Sequence, residues 1–555
     1  MDPVWQYIFA IRKLLFFLSG SNCCTMVRLR NSFRTLPFWL LLLGVAATIA
    51  ALQIYGGAYQ AEFDAHADEA SHAVSSLLVR DYLAQWPWPS PLPWAMRYYV
   101  HYPKVAIGHW PPGYYAIQGV WWLFTPPGRV SAMVLNVVVG TASIGLFLLL
   151  ARRIRDSWPA LVATAALLFL PIVQESYTQV MLELPSLLFS LLLLWTLARF
   201  LERPGFRTLV YVTLALLGTI AIKGTGAVLV AGPLLAVALS GIWRRLPVRY
   251  WVVALLAALS LLAIFLIQYR GEWQSIRMMG GLGSSRIPWG VLLLPDIVGA
   301  GTVALAAAGA VTVMRWRDPV PVAALSLLLS MMAISYYVRA MREPRHWIAA
   351  APLLILLALA LYARLEQWSG GGLRRGVVAL GVLAAAACLH PYRFYRQEPA
   401  GFNALAGQIR QPARMLVSSS LGWGEGPWIA VAALREPRPS SVIIRATKFL
   451  SSSDWNGLAY KSLVFTPADI ERKLDESGVE IVILHDAVKH RVPGQPPMAH
   501  HLLLAETLQS HPSWRACAAA GELMAYCRIG PARVPRVPLR MDFRNRIGTY
   551  IEETP

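Results

Sequence analysis

Aliphatic runs long enough to cross a bilayer, punctuated by short arginine clusters, constrain this chain more than any single motif does. Apolar segments occupy about residues 37–55, 129–151, 158–173, 185–201, 207–222, 226–242, 250–268, 293–314, 319–338, 347–363 and 376–390. They are judged against the roughly 20 residues a helix needs to span the hydrocarbon core. Eleven spans are therefore expected. With 56% of residues hydrophobic and only 14% charged, the chain lacks the polar residues to cover a soluble surface, and it reads as a membrane protein.

The formal charge of +20 would suit nucleic acid if it formed one surface. Instead the arginines gather as Arg28/Arg30/Arg34, Arg152/Arg153/Arg155, Arg203/Arg207, Arg244/Arg245/Arg249, Arg315/Arg317 and Arg374/Arg375, at every second junction between apolar runs. That is the bias of cytoplasmic loops, so the charge reports topology and no nucleic-acid partner is expected. The N-terminus falls inside and the C-terminus outside. The stretch Pro111–Phe124, PPGYYAIQGVWWLF, is apolar but short, and a crossing there would put Arg152, Arg153 and Arg155 outside. It is placed as a juxtamembrane or re-entrant helix with interfacial Tyr and Trp, which makes residues 56–128 one large external loop. Residues 1–25 are mixed in character, and Met26-Val-Arg-Leu-Arg reads as the better start; the apolar segment after it lacks a signal-peptide cleavage pattern.

After residue 390 the pattern changes. MLVSSS, SVIIRATKF and EIVILHD read as strands, alternating with helix-like TPADIERKLDESG and HHLLLAETLQ. The expected organisation is a cytoplasmic segment over 1–36, a helical polytopic membrane domain over 37–390, and a small extracytoplasmic α/β domain over 391–555. Cysteines 23, 24, 388, 517 and 527 show no zinc spacing; Cys517 and Cys527 flank a hairpin, and a disulfide or two free thiols are both open readings. No internal repeat of the transporter kind is seen.

The external loops hold the chemistry. Asp68, Glu69, Glu175 and Glu183 share a face with Lys104, His109, Lys223, Arg277, Arg339, Arg342 and Arg345. Carboxylates at a membrane surface are costly without a purpose. Beside cations they suit one task, activating a hydroxyl while an anionic leaving group is held. Phosphate is the anion that matches arginine's planar fork and lysine's point charge. In HADEASH (66–72) the two histidines stand six apart rather than at the four-residue zinc-protease spacing; both are read as bystanders and no metal site is assigned. Glu175 is read as a solvated loop residue.

DEASHAVSSLLVRDYL (68–83), GHWPPGYYAIQGVWWLF (108–124), VMLELPSLLFSLLLLW (180–195) and REPRHWIAAAPLLILLAL (342–359) together resemble the membrane-embedded GT-C glycosyltransferases. The likeness is to the aminoarabinose, protein mannosyl and galacturonosyl transferase branch, over roughly residues 37–390. The resemblance implies a GT-C fold of about eleven transmembrane helices, and an inverting transfer from a dolichyl- or undecaprenyl-phosphate sugar to a lipid, glycan or protein acceptor on the outer face of the bacterial inner membrane. It implies Asp68 as general base, Glu69 as its orienting or structural neighbour, and Glu183 of LELP as the second-loop acid. His109, with the prolines that follow, matches the motif that packs a surface helix over the site, at a position where some relatives carry lysine. Lys223 and the Arg339/Arg342/Arg345 group lie where relatives hold the lipid phosphate; Lys104 and Arg277 are counted with them as substrate-binding cations. The glycine-rich loop 280–284 has the freedom of a lid. No cofactor is named, although a divalent metal stays open. The rival reading is a transporter or flippase of lipid-linked glycans, against which stands the placement of the carboxylates in loops rather than in mid-span.

Overall fold

The structure, a computed structural model, describes residues 37–156, 158–269, 289–336, 341, 343–368, 396–452, 460–490, 496–531, 534–542 and 550–553. The N-terminal segment 1–36, Arg277, the loop 280–284, Arg339, Arg342 and the expected span 376–390 lie outside these residues.

Among the described residues, Phe38–Tyr55, Arg129–Ile154, Glu183–Glu202 and Ala350–Trp368 are each long and apolar enough to cross a membrane alone. Each is dominated by Leu, Ala, Val and Ile, with its prolines confined to the first turn, and 20 such residues rise about 30 Å. Two segments read as single spans are broken. Trp158–Leu168 and Pro171–Thr178 meet at 59°, and Val291–Val298 and Ala300–Trp316 at 117°. Pro171 has no N–H to donate and drives Leu170 into an extended conformation; Gly299 takes a φ of 81° that other residues avoid. The expected span 226–242 is also interrupted, as a 3₁₀ turn Gly224–Leu229 followed by Gly232–Ser240. Counting each bent pair as one span gives up to six, with Phe206–Ile222, Gly224–Ser240 and Pro319–Ser335 as shorter apolar helices.

Arginines at one end of the bundle pair with carboxylates of other helices. Arg153 pairs with Glu202, Arg155 with Glu366 at 2.8 Å, and Arg364 with Asp318. At the opposite end residues 56–128 form the helices Glu69–Ala84, Pro91–His101 and Gly113–Phe124. The last has 12 residues, about 18 Å of rise, too short to span; it packs against Glu69–Ala84, with Gly119 set close to Val79.

The C-terminal part is a five-stranded sheet in the spatial order Val442–Arg445, Arg414–Ser419, Ile481–His485, Leu523–Arg528, Trp514–Ala520. The first three strands run parallel and the last two antiparallel. Cys517, the bulged residue of its strand, is bridged to Cys527. This sheet and the first loop share one core: Tyr98, Tyr102, Tyr114, Phe402 and Trp428 are all buried in it. Polar contacts tie the two further. Glu62 accepts the N–H groups of Gly401, Phe402 and Asn403 at 2.7–3.0 Å, and Tyr102 donates to Glu436 at 2.6 Å.

Helices Ala300–Trp316 and Ala350–Trp368 approach most closely at Gly309, where a Cβ would collide with the Leu357 carbonyl. Small residues permit such contact between membrane helices. Gly309→Leu is expected to cost roughly 1–3 kcal/mol or more through overpacking, seen as a lowered melting temperature in detergent. Gly44→Leu, which faces open space, should leave melting unchanged.

Candidate active site

Adjacent carboxylates are sent in opposite directions by the start of one helix. Glu69 is the first residue of Glu69–Ala84 and is completely buried. Its Oε1 accepts the Val180 N–H at 2.6 Å and the Arg129 Nη1 at 2.5 Å, and its Oε2 accepts the Ala65 N–H at 3.1 Å. Arg129 spends its remaining donors on the Ala58 carbonyl, the Thr178 carbonyl and Gln397 Oε1, each at 2.8 Å. A buried charge pair of this kind needs its remaining polar atoms satisfied, and here every side-chain nitrogen of Arg129 and both oxygens of Glu69 have a partner. The knot joins the first loop, the start of Arg129–Ile154, the 178–180 turn and the chain entering the C-terminal sheet. Arg129 was not among the residues singled out from the sequence. It opens an apolar run, where an arginine reads as a membrane-edge charge, and only its partners mark it as interior.

Asp68 precedes the helix but its carboxylate caps no backbone N–H. It turns instead to Arg345, whose Nη1 donates to Oδ2 at 3.2 Å, and the Asp68 side chain stays 21% exposed. Burial alone would raise its pKa, but the electrostatic pull of His66, His72, Arg345 and Lys104, in that order, outweighs burial and holds the carboxyl below its usual range. His66 is 3.7 Å from Oδ2, yet its Nδ1 accepts the Asp68 N–H at 3.1 Å, so that nitrogen carries no proton to share. His72, read from the sequence as a bystander, is interior. One turn beyond Asp68, it is buried, within 3.1 Å of the Tyr115 hydroxyl and against the Trp110 ring; burial depresses it to about 3, so it is a neutral part of the site wall.

Lys104 is buried on the side facing the C-terminal sheet. Burial and the nearby Arg445 bring it down to about 7, against the pull of Asp68 and Glu425. On the other side Glu183 begins the helix Glu183–Glu202 and binds Lys223 Nζ at 2.7 Å. Arg345 stands in the field of both Glu183 and Asp68 and also pairs with Glu343 at 2.5 Å. His346 is half-buried, and desolvation, followed by the charges of Lys223 and Arg345, lowers it to about 4. The fold thus brings Asp68, Lys104, Glu183, Lys223 and Arg345 together. Glu69 belongs to the knot beneath them. His109 sits at the edge, packed on Trp110, and Glu175 is exposed, accepting from Gln179. Among the described residues no three metal-ligating side chains converge. Chemically, the arrangement offers one reachable, ionised carboxylate flanked by cations, with the other acids committed to ion pairs.

Removing one partner of the buried pair should expose the cost of the other. Arg129→Met is expected to destabilise by about 3–5 kcal/mol, read as a large fall in melting temperature, and Glu69→Gln in the same chain should recover part of it.

Residues 109–268 match the family model described as dolichyl-phosphate-mannose-protein mannosyltransferase. No curated protein matches the chain's sequence. Among solved structures, ArnT from Cupriavidus metallidurans bound to undecaprenyl phosphate superposes with a TM-score of 0.57 at 15% identity, covering 89% of this chain and 99% of that one. The apo form of the same ArnT gives 0.55 at 16% identity, with 89% and 98% covered. At these identities the likeness is one of fold.

Proposed function

We propose that this chain, a GT-C membrane glycosyltransferase, moves a sugar from a polyprenyl-phosphate carrier to an acceptor hydroxyl on the outer face of the plasma membrane, with Asp68 as general base. The observation that carries the reading is Asp68 itself: ionised, partly exposed and paired with Arg345 at 3.2 Å, while Glu69 and Glu183 are sealed in ion pairs. That the matched ArnT structure holds undecaprenyl phosphate supports the class of carrier, and the mannosyltransferase family model over 109–268 supports the class of reaction.

In this reading the acceptor hydroxyl oxygen attacks the anomeric carbon as its proton passes to Asp68. The bond from that carbon to the phosphate oxygen breaks, and the polyprenyl phosphate leaves with the electron pair, inverting the centre. A sugar hydroxyl is a weak nucleophile at neutral pH, and a positioned base supplies about 10²–10⁴ in rate. Arg345 and Lys104 flank the carboxylate and are suited to hold the charge that grows on the leaving phosphate. Lys223 is largely committed to Glu183, so its part is to set the electrostatics around Arg345 rather than to meet phosphate alone. Glu69 acts at one remove, by fixing the turn on which Asp68 stands. The outer face is assigned from the arginine bias and from the shared core of the first loop and the C-terminal sheet.

Transfer of label from undecaprenyl phosphate carrying mannose, galacturonic acid or aminoarabinose, measured in membranes, tests the reading. Asp68→Asn is expected to lower transfer by about 10²–10⁴ at equal protein level. Undiminished transfer in that variant would remove Asp68 as the base, and absence of transfer from any of the donors in wild type would count against the activity itself.

A further inference from the structure

A cavity of about 250 Å³ lies where three parts of the chain meet, lined among others by Ala65 of the first loop, Glu175 and Gln179 of the second, and Gln397, Lys489 and His490 from the C-terminal part. It is built on the same knot that positions Asp68. Ala65 stands three residues before Asp68 and donates its N–H to Glu69, and the Thr178 carbonyl and Gln397 on its wall are both bound by Arg129. The cavity is therefore held at a fixed place relative to the carboxylate.

Its lining carries a carboxylate, two carboxamides, an ammonium and an imidazole, and no large apolar side chain. An acyl chain would find nothing to pack against there, while donors and acceptors alternating around a space of this size suit a ring bearing several hydroxyls. The ammonium of Lys489 is held at the rim by Glu398 at 3.7 Å and the Pro399 carbonyl at 3.3 Å. The polar groups are held in place before any ligand arrives. His490 is fixed by Asp64 at 3.4 Å and by the edge of Trp423, and Glu175 accepts from Gln179 at 3.2 Å. Such preorganisation lowers the cost of binding a polar ligand.

We propose that this cavity is the acceptor subsite, receiving a hydroxyl-rich, sugar-like headgroup, and that the C-terminal part takes part in acceptor choice through Lys489 and His490. The proposal rests on the glycosyltransferase reading above. The donor phosphate is assigned elsewhere, to Arg345 and Lys104 beside Asp68, which are not among the lining residues.

The test uses full-length protein in its own membranes, with undecaprenyl phosphate carrying labelled mannose, galacturonic acid or aminoarabinose as the probe. Two products are counted, label joined to acceptor already present in the membranes and free sugar released when water replaces the acceptor. Gln179→Trp fills the cavity, and Lys489→Met changes a half-exposed side chain with little risk to folding. Both are expected to lower transfer to acceptor by about tenfold or more, Lys489→Met through the loss of a charged hydrogen bond and Gln179→Trp by occupying the space, with release by water kept. Retained release also reports a folded, donor-binding enzyme. Unchanged transfer in both variants would overturn the proposal, as would an equal fall in both products, which would place the donor sugar in the cavity. If wild type yields neither product, the glycosyltransferase reading fails first and this inference with it.

Discussion

The buried pair of Glu69 and Arg129 is the interaction on which the outer half of the molecule depends. Arg129 opens a long membrane helix, Glu69 opens the surface helix after it in space, and between them they bind backbone from residues 58, 65, 178 and 180 and the side chain of Gln397. Two opposite charges taken out of water repay their desolvation only when the geometry is close and every remaining donor is used. Here the requirement itself has a structural consequence. Four chain segments must arrive together for either charge to be tolerated.

Asp68 benefits from this arrangement without belonging to it. One residue from a rigid anchor, it needs no capping bond of its own to be held in place, and its oxygens remain available toward Arg345 and solvent. The cations near it fall on two sides. Lys104, with Arg445 beyond it, faces the C-terminal sheet, and Arg345, with Lys223 and Glu183 beyond it, faces the membrane helices. Neutral His72 and the aromatic rings around it fill the wall between without adding charge. A carboxylate so placed stays ionised and still reaches solvent, which is the condition a base must satisfy.

Much of this was legible in the sequence, for identifiable reasons. Apolar length and arginine position are strong signals because bilayer thickness and loop charge act on every span; in the structure Gly113–Phe124 is a short helix packed on Glu69–Ala84, and Asp68, Glu183, Lys104, Lys223 and Arg345 lie within one electrostatic cluster. Strand alternation located the C-terminal sheet. The breaks at Pro171 and Gly299 were harder, since an apolar run hides a bend inside it, although both residues carry the stereochemical cause. Arg129 and Glu62 were missed because each acts through backbone partners distant in sequence. His72 was underrated for a related reason: its neighbours Trp110 and Tyr115 come from another helix, and only packing shows that it is interior.

The pH dependence of turnover at saturating donor, compared between wild type and Arg345→Gln, tests the central claim most directly. If Asp68 is the base and Arg345 is one of the groups, after His66 and His72, that hold its carboxyl below the usual range, wild-type turnover persists into mildly acid conditions, and removing the guanidinium raises the carboxyl and moves the acid limb to higher pH. An acid limb that stays in place in the variant would contradict the account.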